Sequence, residues 1–498
     1  MKILLVNPPV VHAAVTTLDW MPTSEDIGAF PPIGLMYLAA ILRKHTDYEI
    51  KIIDMDLEKM SVQELGEWVA RFSPDIAGIT TFTPIFYDVM QVTKEIKRVK
   101  KDCYVCLGGA HTSTYPMETM EKSEVDFLML GESEFNFLSL VQTIDCGKDL
   151  RKVPGLVMRD QDGKILQTSE SGYIEDINAL PFPAFDLLPF QRYHSAIGTG
   201  DVVGTICSSR GCPYECTFCC KPYRTYRMRT PDNIIAEMKQ YYDRGVREFF
   251  FFDDMFNITP KRVIDVSWAI MTAELKITWS FRGRVDQVTE DMLKVAKKSG
   301  CRQILFGVET ATDEGLRLIK KKISTQQILR TVKLCKKVGM ETNTNWIIGF
   351  PHDKTVADIE NLIRFAIKVN SDYAQFNILI PYAGTEIFRE GVAKGILPEH
   401  FWRDYTINPV PRALVPIWEE HLSRQELSQL LRRCYQRFYF RWGQIVKHFI
   451  KIKNLHHLQR KIKGVFILLG QGGYKKRGRK HVHNGHHLLR SRFFGCHH

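Results

Sequence analysis

Over the first 140 residues two periodicities alternate, and that alternation restricts the fold more than any other feature. Short apolar runs at 3–6, 49–53, 76–81, 103–107 and 127–130 have strand length, whereas 33–43, 62–72 and 89–99 carry apolar residues at helical spacing. Strands separated by helix-length segments cannot pair as hairpins. They join through crossovers, which predicts an α/β fold with a doubly wound, Rossmann-like parallel sheet. Ligands of such sheets sit beyond the carboxyl ends of the strands. The residues at those ends are Pro8 and Pro9, the 80–83 segment beginning with Thr80, Gly108, Gly109 and His111, and Gly131 with Glu132.

The rhythm breaks from 146 to 200. Asp160-Gln161-Asp162-Gly163 is a hairpin turn signal, and Leu180-Pro181-Phe182-Pro183 reads as an extended linker. A second series follows, with strands expected at 202–207, 248–252, 278–282, 303–308, 342–348 and 374–380. Six β/α units without a dinucleotide fingerprint suit a partial (β/α)6 TIM-like barrel. The expected domains are 1–145, a linker over 146–200, a barrel over 201–400, and a helical, strongly basic region over 401–498 whose end is disordered.

Charge is concentrated in that last region. The formal net charge is +12, yet residues 421–498 hold eighteen Lys and Arg against the single acid Glu426, so the body before them is net acidic. Between 430 and 452 the cations interleave with Tyr435, Phe438, Tyr439, Phe440, Trp442 and Phe449. That pattern suits an anionic membrane surface, nucleic acid, or a helical cap with a solvated basic face. The tail contains no recognisable nucleic-acid module, so nucleic acid is not the expected partner. His481, His483, His486, His487, His497 and His498 follow a basic run and read as part of the disordered tract. No apolar run approaches the ~18 residues of a membrane span, and the N-terminus lacks a signal peptide's apolar core. A cytoplasmic protein with peripheral membrane contact through the tail is the expectation.

Twelve cysteines in such a chain argue for metal rather than disulfides. Cys212, Cys216 and Cys219 form a C-x₃-C-x₂-C loop just after the first barrel strand. Three soft thiolates on one loop hold three irons of a 4Fe–4S cube and leave the fourth iron open to another ligand. Structural zinc would want four ligands, usually as two pairs. Cys207, on the strand, and Cys220, adjacent to Cys219, read as thiols outside the cube.

This triad, with Phe218 immediately before its last cysteine, resembles the signature of radical S-adenosylmethionine (SAM) enzymes. Phe252-Asp253-Asp254-Met255-Phe256, Arg282-Gly283-Arg284-Val285-Asp286, Phe306-Gly307-Val308-Glu309-Thr310 and Gly349-Phe350-Pro351 follow in the matching order. The resemblance implies that the open iron chelates SAM, which is cleaved to a 5′-deoxyadenosyl radical. Phe218, Asp253, Asp254, Arg284, Glu309 and Gly349 would then line the SAM site, carboxylates facing its cationic groups and Arg284 its carboxylate.

The front half is similar to cobalamin-binding domains fused to radical enzymes, on Pro31-Pro32-Ile33-Gly34-Leu35, Gly108-Gly109-Ala110-His111 and Gly131-Glu132-Ser133-Glu134. Pro9, Gly34, Thr80, Gly108, Gly109, His111, Gly131 and Glu132 are the expected contacts, glycine allowing close corrin approach. No Asp-x-His-x-x-Gly motif is present, so the corrinoid's lower face lacks that histidine; His111 is the nearest substitute, or else a hydrogen-bonding residue. The implied function is a cobalamin-dependent radical SAM enzyme that methylates an unactivated carbon. The alternatives are a radical cyclisation without methyl transfer, as in anaerobic porphyrin-ester cyclases, and an RNA-modifying radical enzyme. The expected partners are a lipid-like or porphyrin-like small molecule and a reductant such as ferredoxin or flavodoxin.

Overall fold

The computed structural model describes residues 1–16, 28–195, 202–220 and 224–450. The histidines from His481 onward, Cys496 and the expected disordered end lie outside the described residues. Seven strands form the first sheet: β1 (Lys2–Asn7), β2 (Glu49–Asp54), β3 (Ile76–Thr80), β4 (Tyr104–Gly108), β5 (Phe127–Met129), β6 (Leu156–Arg159) and β7 (Ile165–Gln167). Their spatial order is β2-β1-β3-β4-β5-β6-β7. The first five are parallel, as the alternating pattern requires. Ile3, Leu4, Leu5 and Val6 are all fully buried, which explains why β1 reads as a continuous apolar run: helices cover both of its faces. Gly78 in β3 is a packing glycine, because a Cβ there would stand 2.9 Å from the Leu5 side chain. Strand order reverses between β1 and β3, so the crevice of this sheet opens beyond Asn7 and Thr80.

The 146–200 segment is more than a linker. The Asp160–Gly163 turn closes β6 onto β7, and this antiparallel hairpin extends the first sheet. Residues beyond it tie the two halves of the chain together. Tyr193 donates a buried hydrogen bond of 2.7 Å to Asp54, and Phe185 stacks on Tyr241 at 3.9 Å.

The second sheet holds β8 (Val203–Ile206), β9 (Glu248–Phe251), β10 (Thr278–Gly283), β11 (Cys301–Glu309), β12 (Glu341–Ile348) and β13 (Tyr373–Ile378). They are all parallel and lie side by side in sequence order. A hydroxyl at the N-cap starts each intervening helix: Thr230, Thr259, Thr289, Thr312, Ser324 and Thr355 each accept from a backbone N–H of the first turn. Pro231 and Pro260 follow two of these caps at the first helical position, where a missing N–H costs nothing.

The helix Arg424–Tyr439 corrects the reading of the C-terminal aromatics. Tyr435 and Tyr439, one turn apart, lay their hydroxyls along the edge of β13. Tyr439 accepts from Ala374 N–H and donates to Ala374 C=O, while Tyr435 does the same at Phe376, all between 2.8 and 3.1 Å. The hydroxyls thus stand where another strand's amides would, which blunts an exposed edge. Phe438 is fully buried beside them. These three rings belong to the core and not to a membrane-facing surface.

Candidate active site

After β8 the chain makes a two-residue antiparallel ladder, Ser209–Arg210 with Arg227–Met228, and the cysteine loop is the excursion between them. Thr217 fixes its middle. The Thr217 N–H donates to Ile319 C=O at 3.2 Å, and its carbonyl accepts from Ile387 N–H at 3.1 Å. Cys219 N–H turns back to Cys216 C=O at 3.1 Å. None of the three thiols is in a disulfide; Cys212 and Cys216 are half-buried and Cys219 is exposed. Among the described residues no three His, Cys, Asp or Glu side chains could hold a single metal ion. A 4Fe–4S cube makes a different demand, because each thiolate takes its own iron, and three accessible thiols on one pinned loop fit it. Burial pushes the Cys207 thiol up to about 12, so it stays a neutral packing group.

The residues expected around SAM divide into two sets. Glu309, Arg284 and Phe218 gather beside the loop. Glu309 closes β11 in a left-handed conformation (φ 64°), at an irregularity in its pairing with β12. Its carboxylate is buried and pairs with Lys321 Nζ at 2.8 Å. Burial pulls the Lys321 ammonium down, but Glu309 and then Cys216 outweigh it and hold the group above its ordinary value. Lys321 was not anticipated; in the sequence it is flanked by Lys320 and Lys322. Arg284 lies 3.6 Å above the Tyr214 ring of the cysteine loop, bonds Asp286 at 3.0 Å, and donates to Lys321 C=O at 2.8 Å. It therefore splints the loop to the segment carrying Lys321. Phe218 packs edge-on against buried Phe350 at 5.5 Å.

Asp253 and Gly349 are engaged elsewhere. Asp253 is fully buried and accepts from Ser208 N–H (2.7 Å), Ser208 Oγ (2.6 Å) and Ser209 Oγ (2.6 Å). Its two oxygens anchor the start of the cysteine excursion, which corrects its expected place on the SAM rim; its neighbour Asp254 is exposed and lies within range of Arg282. Gly349 (φ 83°) and Phe350 both donate their N–H to Asp353, at 2.9 and 3.0 Å. Burial pushes the Asp353 carboxyl up to about 7 despite those two donors. A raised carboxyl stabilises the fold most below its unfolded value, so the contribution fades as pH rises from about 4 to about 7. The difference in melting temperature between wild type and Asp353→Asn, which keeps the acceptor, should shift against wild type as pH rises through that window; parallel thermal melts check this.

At the ends of the first sheet, Gly34 and Gly108 face open space, with no atom within 4 Å of a would-be Cβ. Gly109 adopts φ 120° over Thr81, whose carbonyl would lie 2.7 Å from a Cβ there, so only glycine serves. Exposed Val10, Val11 and Phe82 flank the crevice, Thr80 is half-buried at its edge, and Pro9 is buried beneath. An open, apolar rim with uncrowded glycines fits a broad flat corrinoid. Two expected contacts are corrected. His111 is fully buried, stacks on Phe86 at 4.2 Å, and has Thr83 and Thr119 at its two ring nitrogens. Burial drives it to about 3, so it is a neutral core histidine and not a cobalt ligand. Glu132, next to Gly131 (φ 70°), is buried under Arg227, which grips it with two bonds of 2.6 and 2.7 Å, and also accepts from Ile174 N–H at 2.8 Å. Glu134 pairs with Arg210, two residues before Cys212.

Comparison with known proteins agrees with both halves. The Radical SAM superfamily model matches residues 206–366, and the B12 binding domain model matches 27–141. An uncharacterized methyltransferase of Pyrococcus horikoshii is 34% identical over 474 residues, covering 93% of this chain and 98% of its own. The chain belongs to the cobalamin-dependent radical SAM family. Its cofactors are accordingly a 4Fe–4S cluster, SAM and cobalamin. The anaerobic magnesium-protoporphyrin IX monomethyl ester cyclase of Rubrivivax gelatinosus is 26% identical, over 86% of this chain and 77% of its own. In fold, the enzyme is similar to a radical SAM methyltransferase from Kitasatospora setae solved with cobalamin and a 4Fe–4S cluster bound. There the TM-score is 0.63 at 19% identity, covering 79% of this chain and 75% of that one. The cobalamin-dependent SAM radical enzyme OxsB gives a TM-score of 0.66 at 16% identity over 94% of this chain and 71% of its own.

Proposed function

We propose that this enzyme transfers a methyl group to an unactivated carbon of a small-molecule substrate. The observation that carries the reading is the tie between Glu132 and Glu134 at the corrinoid rim and Arg227 and Arg210 at the base of the cysteine loop. It holds the two cofactor-binding loops together, as a reaction shared between two cofactors requires. When bound, the cluster supplies the electron that cleaves SAM to a carbon radical, and cobalamin supplies a transferable methyl group. The chain's own groups bind and orient. Lys321 is the cation for the SAM carboxylate, Glu309 and Asp254 are anions for its ammonium and sulfonium, and Phe218 with Phe350 shields the loop from water. Arg284 acts as the splint that holds Tyr214 and Lys321 in register. A one-electron donor such as ferredoxin or flavodoxin is needed from outside. A lipid-like or porphyrin-like substrate is supported by relatives that include a hopanoid C-3 methylase of Methylococcus capsulatus.

Anaerobic turnover with SAM, methylcobalamin and reductant should yield S-adenosylhomocysteine and 5′-deoxyadenosine in step with methylated product. Substrate conversion without S-adenosylhomocysteine would instead favour cyclisation, the reading encouraged by the Rubrivivax gelatinosus relative. The corrinoid site has its own test. Because Gly34 and Gly108 face open space, Gly34→Leu and Gly108→Leu should fold normally yet fill the cradle. The full chain should take up cobalamin with a base-off absorption spectrum, and each variant should bind about tenfold or more weakly, since an overpacked site loses on the order of 1–3 kcal/mol.

A further inference from the structure

The C-terminal helix Trp442–Ile450 is docked the wrong way round for a soluble protein. Its polar side faces the fold: Gln444, 1% exposed, donates to Ser371 C=O at 2.7 Å, and Lys447 pairs with Asp372 at 2.8 Å. Arg441, just before it, donates to Ile367 C=O at 3.2 Å. Its apolar side faces outward, with Trp442, Ile445 and Val446, spaced i, i+3, i+4, exposed by 83%, 42% and 51%.

We infer that this face docks the enzyme onto an anionic phospholipid bilayer. Charge complementarity selects that occupant. The sequence from 452 to 498 carries eleven Lys and Arg and no acid, directly after the exposed stripe. Exposed Lys336 lies within range of Lys447 and Arg441, with the acid Asp372 facing them. Tryptophan and aliphatic side chains suit the interfacial layer, and a basic run suits anionic headgroups. No helix among the described residues is long and apolar enough to cross a membrane. The stretch 367–372 that receives the helix precedes β13, at the amino ends of the second sheet's strands. The cysteine loop follows β8 at the carboxyl ends, so docking leaves the candidate active site facing away from the lipid. This goes beyond the proposed reaction and is independent of it.

The test is sedimentation of the full chain with vesicles of phosphatidylcholine, with and without phosphatidylglycerol. Wild type should pellet with the anionic vesicles and about tenfold less with neutral ones. Trp442→Asp with Ile445→Asp should lose about tenfold, and so should a chain with glutamine at 475, 476, 477, 479 and 480. Trp442 and Ile445 are exposed, and unchanged thermal melts confirm folding of both variants. Four results would overturn the inference: negligible binding to both vesicle types; undiminished binding by the aspartate variant; a wild-type dimer that this variant dissolves, which would assign the face to a second copy; or vesicle binding abolished by a competing RNA at equal charge.

Discussion

Replacing Cys212, Cys216 or Cys219 singly with alanine should reduce reductive SAM cleavage to background, whereas Cys220→Ala should keep both cluster and activity. The expectation rests on donor count. A cube held by three thiolates loses an iron anchor with each alanine. The loop itself should survive, since Thr217 hangs between Ile319 and Ile387 by backbone bonds that no cysteine side chain makes. Melting temperature should therefore barely change while iron content, the reduced-cluster resonance and 5′-deoxyadenosine release fall together. If Cys220→Ala proved as damaging as the others, the three-ligand assignment would be wrong and the open iron with it.

The parts of this molecule that the sequence discloses are those where one local pattern has one physical meaning. Parallel strands covered on both faces must be apolar throughout, so β1 and its neighbours were legible. The cysteine spacing is equally unambiguous, because few structures other than a cluster loop need three thiols in eight residues. Legibility fails where meaning depends on a distant partner. His111 follows two glycines at a strand end and looks available, yet Phe86, Thr83 and Thr119 close over it. Glu132 sits at a ligand-binding edge, but its partner Arg227 is 95 residues away. Asp253 lies in a matched motif and is taken by two serines from the preceding strand end. Lys321 was hidden by lysines on either side, and only the fold distinguishes it by placing it against Glu309. Tyr435 and Tyr439 looked interfacial because their composition is that of an interface; what they serve is a sheet edge that the sequence does not announce.

The second large effect is expected at the tie between the two cofactor-binding halves. Arg227 and Glu132 have side chains 8% and 4% exposed, so their paired bonds are almost wholly shielded from water. Burial alone would push Glu132 up; Arg227, the Ile174 N–H and Arg210 reverse this and hold it below its ordinary value. Removing Arg227 leaves buried Glu132 with the longer 3.5 Å contact to Arg210 as its only remaining ion pair, so Arg227→Ala should destabilise the protein by about 3 kcal/mol, far more than loss of an exposed pair. Replacing both, as in Glu132→Leu with Arg227→Met, removes the stranded charge and should recover most of that loss. The double variant then separates stability from coupling. Its melting temperature should approach wild type, while cobalamin retention and SAM cleavage, which need the loops held in register, should stay depressed. The acid limb gives an independent check. A depressed carboxyl stabilises the fold fully above the ordinary glutamate value of 4.5, and the contribution drains away as pH falls below it. Wild type should accordingly lose stability on acidification below about pH 4.5 more steeply than the double variant. Identical acid limbs, with full cofactor coupling in the double variant, would show that the two halves are held together by their apolar contacts and that the ion pair is incidental.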